Sequence, residues 1–300
     1  MMAFVNGRMV AEKLAVVPVT DRGFLYGDGV YETIRVYGGK PFLLHDHLRR
    51  LNSSMAGLKL APPMSLIEIG RAVQKVIATN KMSEAVVRVT VTRGTGVRGI
   101  DPAGSGRPTV VVMASKFGSY PADQYRNGIT AAVVSVRRTA PDAVPIDIKS
   151  NNCLNQILAR MEATELGAQE AIMLTTAGLV SEASASNVFI VKNGAVQTPK
   201  IDGSLLPGIT REWVMRVARE AGYGVSERKM PVTALSEADE VFLTNSVMEI
   251  MPVSRLIFNH GTSRQEMRLG PYMKTSGFVG PVTVELLVRY RESVRSVSKV

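Results

Sequence analysis

The segment 85–93, AVVRVTVTR, limits the possible folds most, because apolar and polar side chains alternate along it from Val87 onward. Successive side chains of a β-strand point to opposite faces, so Val87, Val89 and Val91 share one side. Arg88 and the threonines at 90 and 92 share the other side. The segment is therefore predicted to be a strand with one apolar face and one polar face.

Helical spacing recurs between the predicted strands. In residues 65–80, Leu66, Ile69, Val73 and Ile77 fall on one face of a helix. Further helices are predicted at 45–57, 154–166, 210–221 and 282–294, further strands at 30–37, 109–114, 129–136, 171–175 and 188–191, and a hairpin turn at Asn6-Gly7. This interleaving predicts a mixed α/β (α+β) fold in two parts.

A polar segment at about 116–127 is the candidate linker between the two parts. The predicted domains are residues 1–117 and residues 128–300, joined by a linker at 118–127. The sequence contains no internal repeat and no low-complexity segment.

The net charge of +10, from 36 Lys and Arg against 26 Asp and Glu, favours anionic partners. The basic residues are dispersed and are not interleaved with aromatic residues, so anionic metabolites are favoured over nucleic acid. No window reaches the roughly 18 unbroken apolar residues of a membrane span, and the start does not resemble a signal peptide. The single cysteine, Cys153, suits a reducing compartment. We therefore expect a cytoplasmic protein with no nucleic-acid or membrane partner.

Lys149 stands just before a predicted helix in the segment IKSNNCLNQILARMEA. The apolar residues of that helix fall at Leu154, Ile157, Leu158 and Met161, which is the spacing of one helix face. From these residues alone, Lys149 is either an ordinary surface charge or a reactive amine that points into a pocket from the end of a strand.

Three other segments carry residues that could bind charged groups. In LPGITR, Gly208 and Thr210 stand at a predicted helix start with Thr210 as N-cap, and such a start suits a phosphate or is merely capped. Glu182 lies among small residues in VSEASASNVF, where it is either half-buried and in need of a positive partner or simply solvated. Asn245 and Ser246 follow an apolar strand and either bind an anion or form a plain turn.

The segment HDHLRRLNSSM places Arg49 and Arg50 side by side on a predicted helix. Neighbours in sequence do not share a helix face, so one arginine can point inward while the other is solvated. His45 and His47 lack a further ligand nearby in a chain with 3 histidines, so no metal site is predicted.

Six segments occur in one order along the chain: DRGFLYGDGVYETIRVY, HLRRL, IKSNNCLNQILARMEA, VSEASASNVF, LPGITR and TNSVMEIMPV. Together they resemble the fold-type IV pyridoxal-phosphate enzymes, which include branched-chain aminotransferases, D-amino-acid aminotransferases and 4-amino-4-deoxychorismate lyases. The resemblance spans about residues 4–294. It implies a smaller N-terminal α/β domain, a larger C-terminal domain, and pyridoxal 5′-phosphate at the domain interface. It also implies at least a homodimer, in which loops of one subunit close the site of the other.

The resemblance implies a role for each motif residue. Lys149 matches the residue that forms a Schiff base with the cofactor aldehyde, and Glu182 matches the carboxylate that faces the pyridine nitrogen. The residues around the cofactor phosphate would be Arg50, Gly208, Ile209, Thr210, Asn245 and Ser246. The candidate substrate-binding residues are Tyr31, Thr33, Arg35, Arg88 and Arg98.

These residue types suit that chemistry. An amine attacks a carbonyl only when neutral, so Lys149 must lose its proton near neutral pH, which burial and nearby positive charge promote. Glu182 as an anion would keep the pyridine nitrogen protonated, so that the ring withdraws electrons from the substrate Cα. The freed Lys149 amine could then shuttle the proton from that carbon.

The branched-chain enzymes are resembled most closely in Arg35 and in the segment SVRRTAPDAVPIDIKS. Two of their usual tyrosines are replaced, by Leu154 after the lysine and by Val86 on the alternating strand.

Tyr31 and Arg98 match two of the three residues with which D-amino-acid aminotransferases bind the substrate carboxylate, and Ile100 occupies the third position. Asn245 matches an asparagine of the lyases. We predict transfer of an amino group from an aliphatic, branched-chain L-amino acid to the oxo acid 2-oxoglutarate. Elimination of pyruvate from aminodeoxychorismate, and then D-amino-acid transamination, are the alternatives.

Overall fold

The computed structural model describes residues 1–96, 99–259, 264–269 and 279–297. These residues form two compact units. The first comprises Met1–Gly118, Ile148–Cys153 and the residues from Val294 on, and the second comprises Ser119–Asp147 and Leu154–Ser293. The domain ranges predicted from the sequence are continuous and stay a prediction, whereas the first unit takes Ile148–Cys153 from the middle of the chain.

The first unit is built on an antiparallel sheet. Its strands are β1 (Met2–Val5), β2 (Arg8–Ala11), β3 (Gly29–Tyr37), β4 (Lys40–Pro41), β5 (Ala85–Thr92) and β6 (Thr109–Lys116). Among the described residues these six strands follow the order β2-β1-β6-β5-β3-β4. The predicted turn at Asn6-Gly7 is confirmed, because β1 and β2 pair across it and both residues have positive φ, 47° and 92°.

The predicted two-faced strand is confirmed in β5. Val87, Val89 and Val91 are fully buried, whereas Arg88 is only half-buried. Strand β3 pairs antiparallel with β5 and places Thr33 opposite Arg88, so the polar face of β5 continues onto β3. This polar face carries the candidate site residues Tyr31, Thr33 and Arg88.

The first unit also contains α1 (Arg22–Tyr26), α2 (Leu44–Gly57) and α3 (Leu66–Thr79). The two longer helices match the helices predicted at 45–57 and 65–80. Ser65 and Glu68 form a capping box that fixes the start of α3. Leu51 of α2 and Val73 of α3 are fully buried in the same cluster as the valines of β5, so these helices cover the apolar face of the sheet.

The second unit contains a mixed sheet. Its strands are β7 (Ile129–Val133), β8 (Glu170–Leu174), β9 (Val180–Ala183), β10 (Asn187–Lys192), β11 (Ala195–Pro199), β12 (Val225–Arg228), β13 (Glu240–Asn245), β14 (Glu249–Asn259) and β15 (Arg264–Arg268). Within the described ranges the order is β12-β11-β10-β13-β14-β7-β8-β9, with β15 paired to β14. Strand β7 is parallel to both β14 and β8. The predicted mixed α/β class is confirmed.

The helices of the second unit are α4 (Ala122–Asn127), α5 (Leu154–Glu165), α6 (Ile209–Glu220), α7 (Thr233–Ser236) and α8 (Pro281–Val297). The helices predicted at 154–166, 210–221 and 282–294 are confirmed as α5, α6 and α8. In the part of the chain that the structure describes, no helix has the length and hydropathy needed to cross a membrane.

The apolar face of α5 is left open by the residues that the structure describes. Leu154, Ile157, Leu158 and Met161 are between 46% and 61% exposed, whereas the helix buries alanines on its other side. The spacing correctly predicted a helix with one apolar face, but it did not reveal that this face is open.

Candidate active site

The polar face of the first unit brings Tyr31 and Arg88 together. The guanidinium carbon of Arg88 lies 3.8 Å from the centroid of the Tyr31 ring. Arg88 Nε donates to Thr90 Oγ1 at 3.2 Å, and Nη2 donates to Asn151 Oδ1 at 3.3 Å. A cation over an aromatic face is a favourable contact, and these hydrogen bonds fix its orientation. Thr33 stands opposite Arg88 in the sheet.

Lys149 joins this face because its backbone is attached to β3 and to α2. Tyr31 N donates to Lys149 O at 3.0 Å, and Lys149 N donates to Ser54 Oγ at 3.1 Å. Its side chain is half-buried, with Nζ 4.6 Å from the centroid of the Tyr31 ring. The structure therefore brings together three of the predicted site residues, Lys149, Tyr31 and Arg88.

The phenol of Tyr31 keeps its proton at neutral pH. Burial is the main reason that its pKa is raised, to about 12, and the nearby Cys153 thiol raises it further while Arg88 lowers it. The phenol oxygen and Cys153 Sγ are 3.7 Å apart. Tyr31 thus offers an O–H group and an aromatic face, but no negative charge.

Arg50 makes a bidentate contact with Glu32. Arg50 Nε donates to Glu32 Oε1 at 2.7 Å, and Nη2 donates to Oε2 at 2.8 Å. His47 Nδ1 is 2.7 Å from the same Oε2. The pKa of Glu32 is raised by burial but lowered more by Arg50 and His47, and it falls to about 2.

Sequence reasoning missed Glu32 and His47. A signal was present, since Glu32 shares the core-facing side of β3 with Val30 and Ile34, and a carboxylate there needs a buried positive partner. Burial also lowers the pKa of His47, an effect that Glu32 opposes, so its imidazole is neutral and Nδ1 acts as the donor.

Two of the arginines predicted to bind substrate are not found beside Lys149 in the described residues. Arg35 donates to the carbonyls of Val36 and Ala85 and to the carboxylate of Glu84, and its guanidinium lies 3.6 Å from the centroid of the Phe117 ring. The structure does not bring it against Lys149. Arg98 lies outside the described residues, so its role stays a prediction.

In the second unit, Glu182 has the positive partner that a buried carboxylate requires. Arg138 Nε donates to Glu182 Oε1 at 2.8 Å, and Leu206 N donates to Oε2 at 3.0 Å. Arg138 Nη1 in turn donates to Asn155 Oδ1 at 3.0 Å. Both members of the pair are buried. The result is an anchored anion, whose partner Arg138 lies 44 residues away and was not identified from the sequence.

Helix α6 begins without a side-chain cap. The expectation that Thr210 is its N-cap was wrong, because the helix starts at Ile209 and Gly208 is the N-cap. The first intrahelical bond there runs from Glu212 N to Gly208 O, so the N–H groups of the first three helical residues precede it. Uncapped N–H groups at the positive end of a helix suit an anion.

Only glycine fits at position 208. A Cβ there would lie 1.9 Å from Asn187 Oδ1, and that amide is held in place by its Nδ2–H bond to Leu206 O. Asn187 pairs with Thr244 across the sheet. Thr244 Oγ1 is buried, and among the described residues no hydrogen-bond partner is found for it. A polar group from outside the chain would satisfy such an oxygen.

Asn245 uses its side chain to build the turn after β13. Its Oδ1 accepts from Val247 N and Met248 N at 2.8 Å each, and its Nδ2 donates to Ala185 O at 3.0 Å. The turn interpretation is therefore confirmed for Asn245. Ser246 is half-buried within the same turn, which follows Thr244 directly.

Comparison with known proteins identifies the family. The model of a family described as amino-transferase class IV matches residues 29–256. The chain is 41% identical over 253 residues to a candidate branched-chain-amino-acid aminotransferase of Methanocaldococcus jannaschii, covering 84% of this chain and 87% of that protein. It is 34% identical to the aminodeoxychorismate lyase of Bacillus subtilis, covering 88% and 90%, and 36% identical to a D-alanine aminotransferase of Listeria monocytogenes, covering 85% and 88%.

Solved structures agree with this result. A branched-chain amino acid aminotransferase of T.th. with pyridoxamine 5′-phosphate has a TM-score of 0.89 at 30% identity, covering 98% of this chain and 93% of that one. The 4-amino-4-deoxychorismate lyase of Pseudomonas aeruginosa has a TM-score of 0.80 at 30% identity, covering 97% and 98%. With a family match over most of its length and relatives above 30% identity, the chain belongs to the class IV aminotransferases.

Proposed function

We propose that the protein is a pyridoxal 5′-phosphate-dependent transaminase that moves an amino group from a branched-chain or other aliphatic L-amino acid to 2-oxoglutarate. The observation that carries this proposal is the cluster of Lys149, Tyr31 and Arg88, in which the ring of Tyr31 contacts both the amine and the guanidinium. The amino acid class follows from the similarity to proteins named as branched-chain aminotransferases.

The residues present fit this cofactor. Gly208 allows the close approach of the Asn187 amide at the uncapped start of α6, and free N–H groups at such a helix start suit a phosphate. Glu182 is a buried carboxylate with fixed oxygens, which suits a protonated ring nitrogen. When bound, pyridoxal 5′-phosphate supplies an aldehyde carbon and a ring that withdraws electrons.

We assign the covalent contact to Lys149, which would bind the aldehyde as a Schiff base. The contacts of the phosphate are assigned to Arg50, Gly208, Ile209, Thr210, Asn245 and Ser246. Within this set Asn245 acts by holding the turn on which Ser246 sits. Glu182 would accept a hydrogen bond from the ring nitrogen, and the bond from Arg138 would hold Glu182 in place for that role.

The substrate-binding residues are proposed to be Tyr31, Thr33, Arg88 and Arg98. Arg35 is left out of the proposal, because its guanidinium binds Val36, Ala85 and Glu84. Among the proposed residues, Arg88 is assigned to the substrate carboxylate, because a guanidinium pairs well with a carboxylate and Arg88 contacts the same Tyr31 ring as Lys149. With cofactor and substrate bound, the Nζ amine of Lys149 would take the proton from the substrate Cα and would later return it to the acceptor carbon.

The lyase reaction is the second candidate, since the similarity to the Bacillus subtilis lyase covers 88% of the chain. It would use the same Lys149 and would release pyruvate. D-amino-acid transamination is the third candidate, favoured by the position of Tyr31 next to Lys149 and by the similarity to a D-alanine aminotransferase.

We further propose a homodimer in which a second copy covers the open face of α5. Four large apolar side chains at helical spacing, each about half exposed, form a surface typical of a subunit interface. We retain domains at 1–117 and 128–300 with a linker at 118–127, and a cytoplasmic location, which the single cysteine supports.

A half-reaction screen tests the proposed reaction. The purified protein is mixed separately with L-leucine, L-glutamate and D-alanine, and the visible band of the lysine-bound cofactor is followed. L-Leucine and L-glutamate should remove the band, whereas D-alanine and the Lys149→Ala variant with L-leucine should leave the spectrum unchanged. Conversion by D-alanine alone would overturn the substrate assignment, and pyruvate release from aminodeoxychorismate would identify the lyase.

A further inference from the structure

We propose that Glu32 and His47 are positioning residues that orient the guanidinium of Arg50 toward the phosphate of the bound cofactor. The inference rests on the proposed function, which assigns Arg50 to that phosphate. It gives a role to two buried ionisable side chains that the proposed reaction does not otherwise use.

Packing and stability do not explain a charged side chain at position 32. It is fully buried on the side of β3 that carries Val30 and Ile34, both of them core residues. Replacing a buried ion pair by apolar side chains of similar volume is often neutral or stabilising, so packing does not require a charge here. What an apolar side chain could not provide is a fixed direction for the guanidinium of Arg50.

Contacts of Glu32 with Arg50 and with His47 fix the direction of the guanidinium. The two bonds from Arg50 Nε and Nη2 to the Glu32 oxygens form a fork, which sets the plane of the guanidinium. The contact uses Nε and Nη2, which form one edge of the planar guanidinium. His47 Nδ1, bonded to Glu32 Oε2, hinders rotation of the carboxylate.

The same face of α2 also fixes the lysine. His47, Arg50 and Ser54 stand at positions i, i+3 and i+7 of the helix and therefore lie on one side of it. Ser54 Oγ accepts from the backbone N–H of Lys149. One helix face thus holds both the phosphate-binding arginine and the backbone of the lysine that binds the aldehyde, which sets the spacing between the two anchors.

The test compares two ligands that differ only in the phosphate. The full chain, freed of bound cofactor, is titrated with pyridoxal 5′-phosphate and with pyridoxal, and each affinity is measured by absorbance. Glu32→Gln retains the side-chain volume but replaces one acceptor oxygen by an NH2 group, which breaks the fork. It should weaken binding of pyridoxal 5′-phosphate by about tenfold or more and of pyridoxal by less than about twofold.

Arg49→Gln is the matched control, because Arg49 is the exposed neighbour of Arg50 and pairs with Asp46. It should change neither affinity. Arg50→Gln should show the same phosphate-selective loss as Glu32→Gln. A second pair separates His47 from simple packing: His47→Leu should give a smaller phosphate-selective loss, and His47→Asn, which can place an N–H near the position of Nδ1, should restore affinity.

The outcomes distinguish a failure of the Arg50 assignment from a failure of the positioning role of Glu32 and His47. If Arg50→Gln lowers the affinity for both ligands equally, or for neither, the assignment of Arg50 to the phosphate fails. If Arg50→Gln is selective but Glu32→Gln and His47→Leu are not, the proposed function stands and the positioning role is overturned. If Glu32→Gln does not fold, the His47 pair still decides, since equal affinities in His47→Leu and His47→Asn contradict the inference.

Discussion

Replacing Arg138 by methionine should destabilise the protein strongly. The variant removes the 2.8 Å bond from Arg138 Nε and leaves the buried Glu182 with one donor among the described residues, Leu206 N at 3.0 Å. A hydrogen bond to a charged group contributes about 1.5–3 kcal/mol, and an uncompensated buried carboxylate adds a similar cost. The free energy of unfolding should therefore fall by about 3–5 kcal/mol, the usual loss when one member of a buried pair is removed.

A double-mutant cycle isolates the contact. Arg138→Met, Glu182→Gln and the double variant are unfolded in urea without cofactor, at one protein concentration, and followed by circular dichroism. Each single variant leaves a buried charge without its charged partner, so the double variant should be more stable than the sum of the two losses predicts. The coupling free energy should be about 2–3 kcal/mol.

A second pair on α6 serves as the control. Arg216 and Glu220 form an exposed ion pair at i, i+4 with a distance of 3.7 Å. Exposed pairs contribute about 0.3–0.5 kcal/mol, so the same cycle applied to Arg216→Met and Glu220→Gln should give a coupling below about 0.5 kcal/mol. If the Arg138–Glu182 cycle is equally small, Glu182 is not held by Arg138, and the reasoning about an anchored acid is refuted.

Three further results are expected. Gly208→Ala would place Cβ 1.9 Å from Asn187 Oδ1, so affinity for pyridoxal 5′-phosphate should fall by about tenfold in an absorbance titration, and unchanged affinity would contradict the assigned phosphate site. Ile157→Glu adds a charge to the open face of α5 and should shift the protein toward monomer in light scattering, whereas a dimer of unchanged stability would exclude that face as the interface. The pKa of Glu32, which burial raises and which Arg50 and His47 lower more, falls from 4.5 to about 2, so its stabilisation is present above pH 4.5 and is lost as the pH falls toward 2. Glu32→Gln should therefore reduce the loss of unfolding free energy over that pH range by up to about 3 kcal/mol. Parallel curves of unfolding free energy against pH for the two proteins would contradict this contribution of Glu32.

Features that depend on local periodicity could be predicted from the sequence. The alternation of Val87, Val89 and Val91 correctly identified the buried face of β5, because one face of a strand is set by every second residue. The predicted helix at 65–80 agrees with α3, whose start is fixed by a local capping box. Lys149 and Tyr31 were both selected as site residues through the family resemblance, and the structure brings them together although they are far apart in the chain.

Features that depend on distant partners could not be predicted in this way. Nothing near Arg138 in the sequence indicates that its partner is Glu182, because the two meet only in the folded unit. Thr210 is of a residue type that is favoured at the N-cap, but the N-cap of α6 is Gly208, where the anchored amide of Asn187 leaves no space for a Cβ. Hydrophobic spacing likewise cannot tell whether a helix face such as that of α5 packs inside the chain or remains open.

The covalent role of Lys149 is tested most directly by reduction of the purified protein with borohydride, followed by mass spectrometry of its peptides. The account predicts a pyridoxyl phosphate group on the peptide that contains Lys149 and on no other. An unmodified Lys149 in a protein that binds the cofactor, or the group on a different lysine, would contradict it.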